Sequence, residues 1–190
     1  HREEAQFKGY TVVEPSTVVT THLTEIIKDN MSELLSYAET KKLLDELDEH
    51  TAKLIDDMVP AQISIGGIQR VLQNLLGERI SVRDLPTILE GISDACGHTR
   101  NFTMITEHVR TRLSRQISET NVNDSGHLAI ISLSPEWEGA FVEAIIGEGD
   151  EKQLAMAPTK LQDFILVLNQ AFERQAMLGE TPVLLTSPMI

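Results

Sequence analysis

The sequence is poor in cysteine, in basic side chains and in long hydrophobic runs. Its single cysteine, Cys96, excludes an intramolecular disulfide and a zinc site built from several cysteines. Only 16 basic side chains accompany 29 acidic ones, and the formal net charge of −13 disfavours nucleic acid as a partner. The longest aliphatic and aromatic run, Phe164 to Leu168, is far shorter than the roughly 20 residues that cross a bilayer. We therefore expect a soluble chain.

The 190 residues, of which 41% are hydrophobic, suffice for one ordinary domain or two small ones. The charge along them is uneven. Residues 1–60 carry 6 basic and 13 acidic side chains, residues 61–120 carry 7 and 6, and residues 121–190 carry 3 and 10. One interpretation is that the acidic flanks are ordinary solvated faces. The alternative is that the arginine-rich middle third contacts an acidic flank of a neighbouring copy in a head-to-tail assembly.

The N-terminal region predicts a strand followed by a long helix. Gly9 to Val13 is typical of a short strand, which Pro15 ends, and no nearby segment is an obvious pairing partner. From Ser16 onward, apolar residues recur at helical spacing, with a break expected near Asp29 to Ser32. The apolar positions are Val19, Leu23, Ile26, Ile27, Met31, Leu34 and Leu35.

Together with the N-terminal helix, the middle of the chain predicts a compact unit of five helices. Ser36 and Glu39 form a capping box, so a helix is expected from about Tyr37, continuing with further turns up to Pro60. The later helices are predicted to span Ile65 to Gly77, to start at Ser81 with Asp84 and end near Cys96, and to run from Phe102 to Ile117.

The composition changes after Asn121, and the remainder predicts a small α/β layer. Its order is strand, helix, helix, strand. The expected elements are a strand within His127 to Leu133, a helix capped by Ser134 with Pro135 at its first position, a loop at 147–150, a helix from Pro158 to Gly179 and a strand from Val183 to Leu185. The predicted fold class is therefore mixed α and α/β: a compact multi-helix domain followed by a small sandwich-like α/β domain, and preceded by an orphan strand and a long helix.

No residue pattern predicts catalysis. Cys96 lies on the apolar stripe of its helix, which favours a buried, inert thiol over a nucleophile paired with His98. The six histidines do not show a metal-ligand spacing, and neither a G-x-S-x-G nor a Walker motif occurs. We therefore predict a protein that is not an enzyme and that has no catalytic, cofactor or metal site.

The densest basic cluster is formed by Arg110, Arg112 and Arg115. One interpretation is an exposed helix face balanced by Glu107 and Glu119. The other is a contact surface for an acidic partner chain, which makes the three arginines candidate ring contacts.

Three segments of the sequence resemble one known family. They are GYTVVEPSTVVTTHL at 9–23, VLQNLLGERISVRDLPTILE at 71–90 and MLGETPVLL at 177–185. These segments are similar to the FlhA/LcrD family, also called FHIPEP, the large export-gate subunits of flagellar and virulence type III secretion systems. The similarity extends over nearly the whole chain. The EPST run and the segment TRNFT at 99–103 are more similar to the flagellar branch than to the injectisome branch.

The resemblance implies a bacterial inner-membrane protein whose membrane helices are absent from this sequence. Its cytoplasmic part would have four subdomains and form a nonameric ring below the export channel. By position, residues 1–34 would end the first subdomain, 35–116 would form the helical third, and 117–190 would form most of the α/β fourth. The implied partners are further copies, flagellar export chaperones with their substrates, and other export-gate and ATPase-complex proteins; no cofactor is implied.

The resemblance also implies a docking site for chaperones in an apolar dimple, to which Val13, Val18 and Thr21 would contribute. Small β-branched side chains would leave a shallow depression for an anchor residue of a chaperone helix. Because the second subdomain is missing, we expect weak chaperone binding by this chain. Alternatively, Val18 and Val19 pack the helix against its own subdomain.

Three classes of function are thus compared. The favoured one is a docking platform of the flagellar export gate that binds chaperone–substrate complexes and builds a ring. The alternatives are an injectisome homologue or a purely structural ring-forming fragment, for which charge reversal at Arg110 and Arg112 should lower the oligomer mass. An unrecognised enzyme using Cys96 or His98 is the third class.

Overall fold

The computed structural model describes residues 7–9, 11–147, 152–187 and 190. The chain divides into two compact units, His1–Arg112 and Leu113–Ile190. The division falls close to the boundary that the sequence predicts after residue 116, and the three-subdomain assignment itself stays a prediction.

The described part of the first unit is helical. Its helices are α1 Pro15–Asp29, α2 Met31–Leu34, α3 Tyr37–Asp45, α4 Glu49–Met58, α5 Ile65–Gly77, α6 Leu85–Cys96 and α7 Phe102–Arg112.

The core of this unit lies between α5, α6 and α7. Their inward side chains recur at the three- and four-residue spacing of a helix face, as the sequence predicts. The residues without exposed surface are Ile68, Val71, Leu72 and Leu75 of α5, Ile88, Leu89 and Ile92 of α6, Val109 of α7 and Met58 of α4. Four of the six aliphatic residues of α5 are fully buried, and this helix packs against α2, α3 and α7.

The helix starts are set by local hydrogen bonds from polar side chains. The Ser36 hydroxyl accepts a hydrogen bond from the Glu39 amide at 3.2 Å, as the predicted capping box requires. The Asp48 carboxylate accepts from the amides of His50 and Thr51 at 2.9 and 3.0 Å. These bonds stabilise the charged form and lower the pKa of Asp48.

The strand predicted at Gly9 to Val13 is not present in the described residues of that segment. Thr11 to Glu14 have no regular secondary structure, and Tyr10 lies outside the described residues. A lone extended segment has no ladder partner to supply its backbone hydrogen bonds, so the local β-propensity alone does not produce a strand. The break predicted near Asp29 to Ser32 is confirmed at Asn30, between α1 and α2.

Three predicted helix bounds are wrong, each for a local reason. The helix predicted from Tyr37 to Pro60 is two helices, because Asp48 caps a new start. The start predicted at Ser81 lies at Leu85, where the Asp84 side chain is the cap. The helix predicted from Phe102 to Ile117 ends at Arg112, and a separate helix follows.

Adjacent glycines in the first turn of α5 predict substitution effects of opposite sign. A Cβ at Gly67 would lie 2.5 Å from Cγ1 of Ile63 and 3.1 Å from Cε1 of Phe102. We expect Gly67→Ala to lower the free energy of unfolding by roughly 1–3 kcal/mol through overpacking. A Cβ at Gly66 would meet only Oγ of Ser64 at 3.8 Å, so Gly66→Ala should stabilise by up to about 1 kcal/mol.

Equilibrium urea unfolding of the two alanine variants measures this difference. Gly66→Ala is the matched control, since both variants add one methyl group to the same helical turn. A stabilised Gly67→Ala variant would contradict the close packing of Gly67 against Ile63.

The second unit is a small α/β layer, as predicted. Its described elements are α8 Ser114–Thr120, β1 Ile130–Ser132, α9 Pro135–Ala144, β2 Ile145–Ile146, β3 Gln153–Leu154, α10 Pro158–Met177 and β4 Val183–Leu185. The strands β1 and β4 are parallel, with Ile131 opposite Leu184. The sequence missed the antiparallel pair β2 and β3, whose short strands carry no alternating pattern. The loop predicted at 147–150 is described only at Gly147.

An aromatic cluster joins α9 to α10 within this unit. The ring centroids of Trp137 and Phe141 lie 5.2 and 4.8 Å from that of Phe164, in edge-to-face geometry. Beside the cluster, an apolar cavity of about 430 Å³ is lined by residues that include Leu133, Ile145 and Leu184.

Candidate docking surface

Helix α1 presents the three predicted docking residues on an uncovered surface. Val13 is 53% exposed and Val18 is 52% exposed, and Thr21 is exposed as well. Val18 and Thr21 are three positions apart and therefore adjacent on the helix surface. Val13 lies just before the helix, where Glu14 is the N-cap and Pro15 the first helical residue. The three side chains thus lie around the first turns of one exposed helix.

An apolar stripe lies beside these residues on α1. Its side chains are Val19, Leu23, Ile26 and Ile27, which are 45–65% exposed. No residue of α1 is buried, so the helix uses none of its apolar face for packing within the described chain. This exposure is compatible with the docking hypothesis and with the alternative in which Val18 and Val19 pack against another part of the subdomain. Both stay predictions.

The C-terminal end of α1 is the end that is attached to the helical unit. Asp29 forms an ion pair with Arg79, which follows α5. The side-chain amides of Gln69 and Gln73 on α5 donate to the backbone carbonyl oxygen of Leu35, at 2.9 and 3.0 Å. Leu35 lies just after α2. The docking residues lie toward the opposite end of α1, where Val18 and Thr21 are exposed among the described residues.

The predicted arginine cluster is engaged in ion pairs inside the chain. Arg110 donates to Glu78 at 2.7 Å and also to Glu107. The hydrogen bond to Glu107 raises the pKa of Arg110, with Glu78 contributing in the same direction. These contacts connect α7 to the end of α5.

The neighbouring arginines differ in their attachment. Arg112 pairs with Glu90 at 3.2 Å and with Asp94, and so connects α7 to α6. Among the described residues, Arg115 pairs with Glu119 on its own helix at 2.8 Å and with no other carboxylate, and its side chain is 90% exposed. Glu107 and Glu119 thus pair with arginines of the cluster, as the first of the two interpretations predicted. That the three arginines are ring contacts stays a prediction.

Cys96 is buried, as predicted, and its inertness stays a prediction. Burial raises the pKa of Cys96, and the nearby Arg100 opposes that shift. The thiol therefore stays protonated near neutral pH and is a weak nucleophile. Among the described residues, no group of three or more His, Cys, Asp or Glu side chains could hold a metal ion. In the same residues, no helix is long and apolar enough to cross a membrane.

Sequence reasoning missed one polar cluster, which brings Arg70 of α5 to Arg100 and Phe102 at the start of α7. Arg70 lies 30 positions before Arg100 and 32 before Phe102, so the periodicity of one helix does not bring it to them. A cation-π geometry holds Arg70 over the ring of Phe102. Only the packing of α5 against α7 creates this site.

The fold described above is shared with proteins of known structure. The Shigella flexneri MxiA structure superposes with a TM-score of 0.75 at 26% identity, covering 93% of this chain and 56% of that one. The nonameric EscV cytosolic domain from a type III secretion system gives a TM-score of 0.75 at 19% identity, covering 100% and 64%. At the latter identity the likeness concerns the fold alone.

Sequence comparison assigns the family. The FHIPEP family pattern matches residues 1–190, and the chain belongs to this family. The flagellar biosynthesis protein FlhA of Caulobacter vibrioides is 59% identical over 98% of this chain. The chain spans only 27% of the length of that relative. The resemblance recognised in the sequence is thereby confirmed.

Proposed function

We propose that this chain is part of the docking platform of a flagellar type III protein export gate, at the cytoplasmic face of the bacterial inner membrane. In this function, the first turns of α1 bind export chaperones that carry substrates, and further copies assemble into a ring. The observation that carries the proposal is the FHIPEP family match together with the uncovered surface around Val18 and Thr21. The flagellar assignment is supported by the 59% identity to the Caulobacter flagellar protein.

Binding, and no covalent chemistry, is the proposed activity. Exposed β-branched side chains in the first turns of a helix offer apolar area at a low cost in side-chain entropy. Thr21 adds a hydroxyl group to this surface, and the hydroxyl of Thr24, three positions further on, already donates to the carbonyl oxygen of Thr20 at 2.8 Å. A chaperone helix can therefore bury apolar side chains there without leaving a charge unpaired.

A segment exchange tests this function in a cell. The 190-residue segment replaces the matching part of the Caulobacter protein in a strain that lacks that protein. We expect the chimera to restore flagellin secretion, measured by immunoblot of the culture medium, because 59% identity preserves the fold and the docking surface. A stable chimera that inserts normally and secretes no flagellin would contradict the flagellar assignment and favour the injectisome alternative.

A purely structural, ring-forming role is the second candidate. It is supported by the nonameric assembly of the EscV domain with the same fold. Arg115 is the most informative arginine for this candidate, because its only ion pair in the described part of the chain lies on the surface of its own helix. Within the same chimera, Arg115→Glu should lower the mass of the assembled cytoplasmic ring if the cluster contacts a neighbour. By contrast, charge reversal at Arg110 or Arg112 would also break pairs that connect helices within the chain.

A further inference from the structure

A polar cleft opens where the start of α7 meets α5. It has a volume of about 430 Å³ and is separate from the docking residues on α1. The cleft is lined by Arg70, Asn74, Arg100, Asn101, Phe102 and Thr103.

Two guanidinium groups in this cleft lack a carboxylate partner. The guanidinium carbon of Arg70 lies 5.1 Å from the centroid of the Phe102 ring, whose face holds it in place. Arg100 donates from Nη1 to the backbone carbonyl oxygen of Gln62. Among the described residues, neither arginine forms an ion pair. Among the described residues, Arg83 and Arg174 also have no ion pair, but they lie outside the cleft. The cleft differs in bringing two such arginines together in a chain of net charge −13.

The charge of the cleft comes from these arginines and not from free helix amides. Oδ1 of Asn101 already accepts hydrogen bonds from the amides of Thr103 and Met104, at 2.8 and 3.3 Å. The first turn of α7 is thereby capped. An incoming anion would meet the planar, fork-shaped donors of Arg70 and Arg100, which match the geometry of a carboxylate.

A second polar cavity extends the cleft along the seam between α5 and α7. It has a volume of about 390 Å³, shares Asn74 and Thr103 with the first, and is further lined by Gln73 and Thr106. Its far end contains Arg110, which is neutralised by Glu78 and Glu107. The polar groups of this second cavity are already bonded within the chain, since the side-chain amide of Asn74 donates to the Thr106 hydroxyl at 3.1 Å and that of Gln73 to the carbonyl oxygen of Leu35. The open positive charge therefore lies at the Arg70–Arg100 end of the groove, which suits an acidic side chain.

We propose that the Arg70–Arg100 cleft binds an acidic segment of a different partner protein. Arginine clusters that recognise acidic motifs are a recurring mode of peptide binding. A second copy of this chain is the alternative occupant, and the oligomer mass measured below distinguishes it from a different partner. The candidate ring contacts Arg110 and Arg112 lie at the opposite end of α7, roughly 15 Å away at 1.5 Å per residue. This site is distinct from the α1 surface, so its test is independent of chaperone docking.

The test measures fluorescence anisotropy of a labelled ten-residue peptide of alternating glutamate and serine, titrated with this chain in 50 mM salt. We expect Arg70→Gln and Arg100→Gln each to weaken binding by about tenfold, since a charge-assisted hydrogen bond is lost. Arg83→Gln removes the same charge from an exposed position outside the cleft and should leave the affinity unchanged. Circular dichroism confirms that the variants fold, and Arg70→Gln decides the test if Arg100→Gln unfolds.

Three results would overturn the proposal. The first is equal weakening by Arg83→Gln, which would indicate a general charge effect. The second is complete displacement of the peptide by 10 mM inorganic phosphate, which would indicate a simple anion site. The third is a lower oligomer mass of Arg70→Gln in light scattering with unchanged peptide binding, which would assign the cleft to a second copy.

Discussion

Replacing Leu72 with alanine is expected to lower the free energy of unfolding of the helical unit by about 2–5 kcal/mol. Leu72 has 0% exposed surface and lies on α5, which contributes buried residues over its whole length. The substitution removes buried methyl and methylene groups and leaves a cavity among rigid helices that cannot fully close it. For a marginally stable unit, such a loss is a large fraction of the total stability.

Urea unfolding followed by far-ultraviolet circular dichroism measures this loss. Leu34→Ala is the matched control, because it is the same substitution at a side chain that is 60% exposed. We expect the control to change stability by less than about 0.5 kcal/mol. Equal effects of the two substitutions would contradict the buried position of Leu72.

Placing a carboxylate on the first turns of α1 is expected to abolish most of the chaperone binding. In the Caulobacter chimera described above, Val18→Asp and Thr21→Asp should each weaken the binding of a purified flagellar chaperone–substrate complex by more than about tenfold. The physical reason is that a partner helix covering this surface would bury the new charge without a compensating donor. Neither change disturbs internal packing, because both side chains are exposed.

Isothermal titration calorimetry measures the affinities, and Thr20→Asp is the control. Thr20 lies one position before Thr21 and therefore about 100° around the helix from it. Equal weakening by Thr20→Asp would indicate charge repulsion without a defined contact. Loss of folding in Val19→Asp, with intact binding by Val18→Asp, would favour the alternative in which α1 packs against its own subdomain.

The helices could be predicted from the sequence because their determinants are local. Ile68, Val71, Leu72 and Leu75 follow the period of one helix face, and all four are buried as expected. The serine caps at Ser36 and Ser134 act on amides three residues away and were recognised from the same short range. The bounds that failed did so where a nearer cap, such as Asp48 or Asp84, competed with the expected start.

The strands were predicted less well, because strand pairing joins distant residues. The segment from Val183 to Leu185 forms the predicted strand, and its parallel partner is some 50 residues earlier in the chain. The segment from Gly9 to Val13 has similar residues and no partner, and its described residues are irregular. The sequence composition of the two segments does not distinguish these outcomes.

The sequence by itself determined the family, the helical periodicity and the buried state of Cys96, since each depends on residue order or on contacts within one helix. Only the tertiary structure decided that Glu78 also pairs with Arg110, that Glu90 and Asp94 pair with Arg112, and that Arg70 and Arg100 share a cleft. Ion pairs between helices depend on how α5, α6 and α7 pack, and that packing follows from the whole core and not from the spacing of charges along the chain.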